Sequence, residues 1–240
     1  MATALRSGSR PLSAEHRFFA FAAIVLVAAT FIGFAPSYYF SGFTGAPALE
    51  PIVHLHGVVF TGWILLYAGQ TSLVSMGRSD LHRIVGPIGA VLAVAVVALG
   101  FAVAFLTAHI VPKAGKINPP IIFPLTAITM FGLLFAAAFL YRRKLQHHKR
   151  LMLLATVSLA TTPLARIGRM IGGPLPPPVM GMLFTDLFVA ALVAYDVRTR
   201  GRLHPATAIG GGVFLLSQPL RVAISQWPAW QAIAASFGAR

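Results

Sequence analysis

Eight histidines, five carboxylates and no cysteine bound the chemistry open to this 240-residue chain. Thiolate metal sites, cysteine-ligated iron–sulfur clusters, thiol redox chemistry and disulfides are excluded, which leaves imidazole, carboxylate, amide and hydroxyl groups. Six of the histidines fall into two sets. His54 and His56, with Glu50 just before them and His109 further on, form one; Glu50, His54, His56 and His109 are the residue types a metal ion takes. His54 and His56 are two residues apart, so on a regular helix they point about 200° apart and do not readily share one ion. The other set is His82, His148 and His204, each beside arginine. Haem needs two imidazoles on opposite faces of one macrocycle, delivered by different helices. His56 with His109, and His82 with His148 or His204, meet that demand in residue type.

These residues have to be positioned by helices in lipid. The chain is 57% hydrophobic and 10% charged, too little polar surface to cover a soluble domain of this size. Seven apolar stretches approach the roughly 20 residues needed to cross hydrocarbon. They run from about Phe18 to Phe40, Pro51 to Val74, Ile84 to Ile110, Ile121 to Tyr141, Leu151 to Met170, Val179 to Val197 and Ala206 to Ile224. Arg6, Arg10 and Arg17 precede the first. Arg78 and Arg83 follow the second, Arg142, Arg143, Lys144, Lys149 and Arg150 the fourth, and Arg198, Arg200 and Arg202 the sixth. Seven crossings place all four groups on one side. The bias predicts a cytoplasmic amino terminus and a carboxyl terminus outside. The predicted fold is therefore all-α, a polytopic seven-helix bundle over residues 18–224. A basic segment over 1–17 precedes it and a short interfacial tail over 225–240 follows, with Trp227 and Trp230 at headgroup level. The formal charge of +14 is explained by anionic lipid and insertion rather than by nucleic acid.

With about 1.5 Å of rise per residue, sequence position becomes depth. Arg166, Asp186 and Arg221 fall within the outer hydrocarbon. A carboxylate there needs a partner or a proton, and the pair expected is Arg166 with Asp186, with Arg221 beside it. Such cations also suit an anionic or redox-active ligand. The inner histidines and arginines suit a quinone headgroup or a lipid phosphate. Gly57, Thr61, Gly86 and Gly89 are small residues expected to let helices approach closely. Walker loops, dinucleotide fingerprints and the HExxH string do not occur.

The run GQTSLVSMGRSDLHRIVGPIG, followed later by HHKRLM, resembles a group of uncharacterised bacterial multispan membrane proteins. Their shared pattern is a His early in one span, Gln at its end, an Arg, then His-Arg-x-x-Gly opening the next span. The matching positions are His56, Gln70, Arg78, His82, Arg83 and Gly86, with His148 and Arg150 echoing a later element. The chain is also distantly similar to haem-bearing bundles such as haem A synthase and cytochrome b561. The first resemblance implies the multi-pass fold and no activity; the histidine belts themselves point to a bacterial inner-membrane protein that binds haem b or a metal ion, with electron transfer or quinone-linked oxidoreduction as its role. Two other readings stand beside it: a noncatalytic subunit packed against a larger membrane complex, and a proton-coupled transporter using Asp186.

Overall fold

The computed structural model of the chain describes residues 13–107 and 121–237. The expected end of the third span, with His109, Lys113 and Lys116, lies outside the described residues. Among those residues, seven helices are long and apolar enough to cross a bilayer. They are α1 (Ala14–Phe34), α3 (Pro51–Ser75), α4 (Ser79–Thr107), α5 (Ile122–Leu140), α6 (Leu145–Met170), α7 (Pro177–Arg200) and α8 (Pro205–Gln226); α2 (Ser41–Thr44) and α9 (Pro228–Phe237) are short.

Proline and the residue before it set many of the starts. Pro51, Pro177 and Pro205 occupy the first helical turn, where a missing N–H leaves nothing unsatisfied, and each is preceded by an extended residue. Ser13 caps α1 by accepting from the His16 amide at 3.2 Å. At the far end of α7, Gly201 takes φ 68°, a left-handed conformation that lets the chain turn into α8 within four residues.

Several elements differ from the sequence expectation, among them the third span, which starts at Ser79 rather than Ile84. Beyond Phe34 the first span widens into a π-helical turn over Ala35–Tyr39, where Pro36 cannot donate an ordinary helical hydrogen bond. The fifth span starts at Leu145 rather than Leu151, because nothing in LQHHKR breaks a helix; His147, His148, Lys149 and Arg150 thus lie on a helix and point in different directions. The tail after Trp227 contains α9.

The centre of the bundle is α6, packed by α1, α5, α7 and α8. It is also among the less apolar spans, since protein rather than lipid surrounds it. Ala155, Thr156, Ser158, Ala160 and Thr161 are buried on it, and the hydroxyls bond its own carbonyls, as Ser158 does to Ala155 at 2.7 Å. Small residues on the flanking helices let the backbones close in. A Cβ at Gly33 of α1 would lie 2.4 Å from the Pro163 oxygen, and one at Gly181 of α7 would lie 2.4 Å from the Thr161 oxygen. Of the small residues expected to serve this way, Gly57 does so against the Tyr38 ring, whereas Gly86 faces open space. On the outside, Ile84, Ile88, Val91 and Val94 of α4 and Ile209, Val213, Leu216 and Leu220 of α8 form exposed apolar stripes at helical spacing, the faces a bilayer solvates.

Candidate functional site

The inner ends of the spans, where the arginine-rich loops lie, carry two polar clusters on opposite sides of the first turns of α6. One is built around Arg150, which is 1% exposed, and Asp196 of α7, which is fully buried. Nε of Arg150 donates to Asp196 Oδ1 at 2.9 Å and Nη2 donates to the same oxygen, while Nη1 donates to the side chain of Gln146 at 2.6 Å and to its carbonyl at 3.0 Å. The other carboxylate oxygen accepts from Thr207 at 2.5 Å and from the His204 amide at 3.2 Å. Beside it, Lys149 pairs with Glu15, whose carboxylate also receives Gln146 and Tyr195. α1, α6, α7 and α8 are thus joined at one level. Every charge in this cluster has a partner of opposite sign, which is the condition for keeping ions out of water.

His204 belongs to this cluster as a helix cap. Its Nδ1 accepts from the Ala206 amide at 3.0 Å and its ring meets His147 edge-on with centroids 4.5 Å apart. Burial, reinforced by the Arg150 guanidinium and then His147, lowers its pKa to about 4, so it is neutral at ordinary pH. With Nδ1 committed to the backbone, His204 is a structural residue, apart from the other inner histidines.

The second cluster faces α3, α4 and α5. His148 Nδ1 lies 2.9 Å from the Ala138 carbonyl, which can only accept; that nitrogen therefore carries the proton and leaves Nε2 with its lone pair. The His82 ring from α4 stands 6.3 Å from that of His148, centroid to centroid, at 75°. His82 lies against the Gln70 main chain, and its buried Nδ1 has no hydrogen-bond partner among the described residues. Neither amide atom of the Gln70 side chain has one either. Three orphaned polar atoms on two neighbouring residues cost about 1–3 kcal/mol each unless something satisfies them. The buried orphans on His56, Trp63 and Trp230 lie at other depths, and Lys149 Nζ of the first cluster, which makes no hydrogen bond among the described residues, is held there by its ion pair with Glu15.

The outer half is arranged differently from the expectation. Arg166 donates to Ser37 of the π turn at 2.5 Å and stacks over Phe34 at 4.7 Å, whereas Asp186 accepts from Gln218 of α8 at 2.5 Å. The expected Arg166–Asp186 ion pair is not formed: the residues share a depth, but one faces α1 and the other α8. Among the described residues Arg221 bonds only to Ser217, one turn back on its own helix. Glu50 and His54 are exposed, and His54 is adjacent to Tyr38. His56 instead stacks on Phe60 at 3.9 Å and faces Leu99 of α4. Glu50, His54 and His56 do not converge because the helix starts at Pro51 and separates the two histidines in direction; His109 lies outside the described residues. Among the described residues no three His, Cys, Asp or Glu side chains form a metal-holding group.

Sequence reasoning missed the Arg150–Asp196–Thr207 network because it placed Arg150 in a loop. The available signal was Asp196 itself, an acid at the end of an apolar helix that needs a cation from a neighbour. Of the residues in the His–Gln–Arg–His-Arg pattern, His82 and His148 are brought together, with the Gln70 main chain against His82. Comparison with family models, curated proteins and solved structures finds no match to this chain.

Proposed function

We propose that this multi-pass membrane protein is an electron carrier of the bacterial inner membrane, holding haem or a single metal ion between His82 and His148. The observation that carries the proposal is the His82–His148–Gln70 cluster. It has two imidazoles from different helices, one with its tautomer set by the Ala138 carbonyl, and unsatisfied polar atoms at the same place. His82 and His148, with rings 6.3 Å apart centroid to centroid, are the two residues that would hold such a group. A carbonyl on the far nitrogen is the usual outer support of a ligating histidine, raising its basicity and fixing its ring. Bound haem or a transition metal supplies one-electron chemistry that imidazole, amide and carboxylate groups lack. The chain's own contribution is to orient the rings, with the Ala138 carbonyl holding His148, and to offer the Gln70 amide to a polar group of the cofactor or of a quinone. Visible absorption and elemental analysis of the purified full chain test this. A Soret band or stoichiometric metal is expected; a colourless, metal-free protein that also fails to take up haem or divalent ions contradicts it.

A second reading, proton-coupled transport, rests on Asp186, a carboxylate within a span, one oxygen of which accepts from Gln218 of α8. Substrate-dependent proton movement abolished by Asp186→Asn supports it; proton movement unaffected by that change removes it.

A further inference from the structure

We infer that the cavity between the outer halves of α4, α5 and α8 binds the head of an anionic amphiphile, a carboxylate or phosphate monoester on one acyl or isoprenoid chain, with Arg221 as its counter-ion. The site is independent of the histidine pair, which lies at the opposite membrane face.

Arg221 is 1% exposed and sits five residues before the end of α8, some 7–8 Å below its outer end. Its Nε and Nη2 are held by the Ser217 carbonyl and hydroxyl at 3.3 and 2.9 Å, so the guanidinium is pinned by its own helix. Nη1 donates to nothing among the described residues, and no described carboxylate lies within ion-pair distance of the group. Asp186, whose charge reaches it, has one oxygen taken by Gln218. Arg150 in the other leaflet shows what a neutralised arginine of this protein looks like, and Arg221 lacks that partner.

Arg221 lines a cavity of about 360 Å³ whose described walls are otherwise mostly apolar, among them Phe101, Leu125, Leu220 and Ile224, with the Ser217 that holds it beside them. Thr126 and Thr129 also line it, but their hydroxyl protons go to the Ile122 and Leu125 carbonyls at 2.7 and 2.8 Å. Arg221 is thus the charged donor of an otherwise greasy chamber. Its volume is at the low end of the roughly 300–1,000 Å³ typical of ligand pockets, enough for a small head and the start of one chain, the remainder lying in lipid. A zwitterionic head brings its own cation and leaves Arg221 uncompensated; a monoanionic or dianionic head does not.

Delipidated full-length protein in nonionic detergent is titrated with palmitate, hexadecyl phosphate, hexadecanol and inorganic phosphate, read by displacement of a fluorescent fatty acid. Saturable binding of the two anionic amphiphiles is expected, with hexadecanol weaker by about tenfold or more, the weight of a charge-assisted hydrogen bond. Inorganic phosphate is expected not to displace the probe. Arg221→Gln should bring palmitate down to the level of hexadecanol, and Arg221→Lys should retain part of the preference. Leu125→Trp fills the cavity without touching the charge and should abolish binding, which keeps the test decisive if Arg221→Gln does not fold. Equal binding of palmitate and hexadecanol, or parental affinity in both Arg221→Gln and Leu125→Trp, overturns the proposal. Displacement by inorganic phosphate as effective as by palmitate also overturns it, in favour of a free-anion site.

Discussion

Arg150 and His148 lie two residues apart on the same turns of α6, at the same depth, yet their surroundings differ in kind. Around Arg150 the side-chain donors and acceptors of Gln146, Asp196 and Thr207 close on one another. Around His148, Gln70 and His82 keep three buried polar atoms unpaired. A closed network explains itself as architecture, because it joins four helices and leaves nothing for a ligand to do. An open one is unstable as it stands and gains from a bound group. The two sides of α6 thus differ, within a few ångströms, in how far their polar groups are paired, and the outer half repeats the contrast in Arg221.

Substitutions sharpen this comparison, beginning with the closed side. Asp196→Asn or Arg150→Met alone should destabilise the detergent-solubilised protein by about 3–5 kcal/mol, because either leaves a buried charge uncompensated. Thermal or denaturant unfolding reads the loss, and Arg150→Met combined with Asp196→Leu should recover most of it. Gln146 and Gln70 then offer a matched pair of glutamines at one membrane face. Gln146→Leu removes an acceptor from a charged donor and should lower stability by about 1.5–3 kcal/mol.

His204→Ala removes the α8 cap and should lower stability by about 1 kcal/mol. His204 also gives the closed side a pH signature. Its folded pKa near 4 lies below the ordinary 6.5, so on acidification the unfolded chain takes the proton first. Its contribution is full above about pH 6.5, declines as pH falls toward about 4 and levels off below. Unfolding measured across that range should show the decline in the parent, and His204→Asn, which keeps a cap without titrating, should flatten it. The smallest effect belongs to the open side. Gln70→Leu in cofactor-free protein should change stability by less than about 0.5 kcal/mol or raise it, since it deletes an amide that has no partner. A loss as large as that of Gln146→Leu would erase the distinction between the two sides.

Depth was legible in the sequence and direction was not. The spans stand out because hydrocarbon demands long apolar runs, and His82 and His148 could be grouped because both follow helix starts at the arginine-rich face. Arg166 and Asp186 were matched by depth too, but depth leaves the rotation of each helix free, and packing turned one toward Ser37 and the other toward Gln218. Arg150 was hidden for a related reason. A run of five cationic residues reads as a loop at the membrane face, whereas the central helix extends through its end and buries that one arginine against Asp196. The π turn at Pro36 and the added helix α9 depend on local hydrogen bonding that hydropathy does not register.

The most direct test of the account is cofactor content per chain in the parent, His82→Ala, His148→Ala and Gln146→Leu proteins, measured by absorption and metal analysis on samples matched for folded fraction. Haem or metal is expected in the parent, with its loss in both histidine variants and its retention in Gln146→Leu. Full cofactor occupancy in His82→Ala and His148→Ala would contradict it.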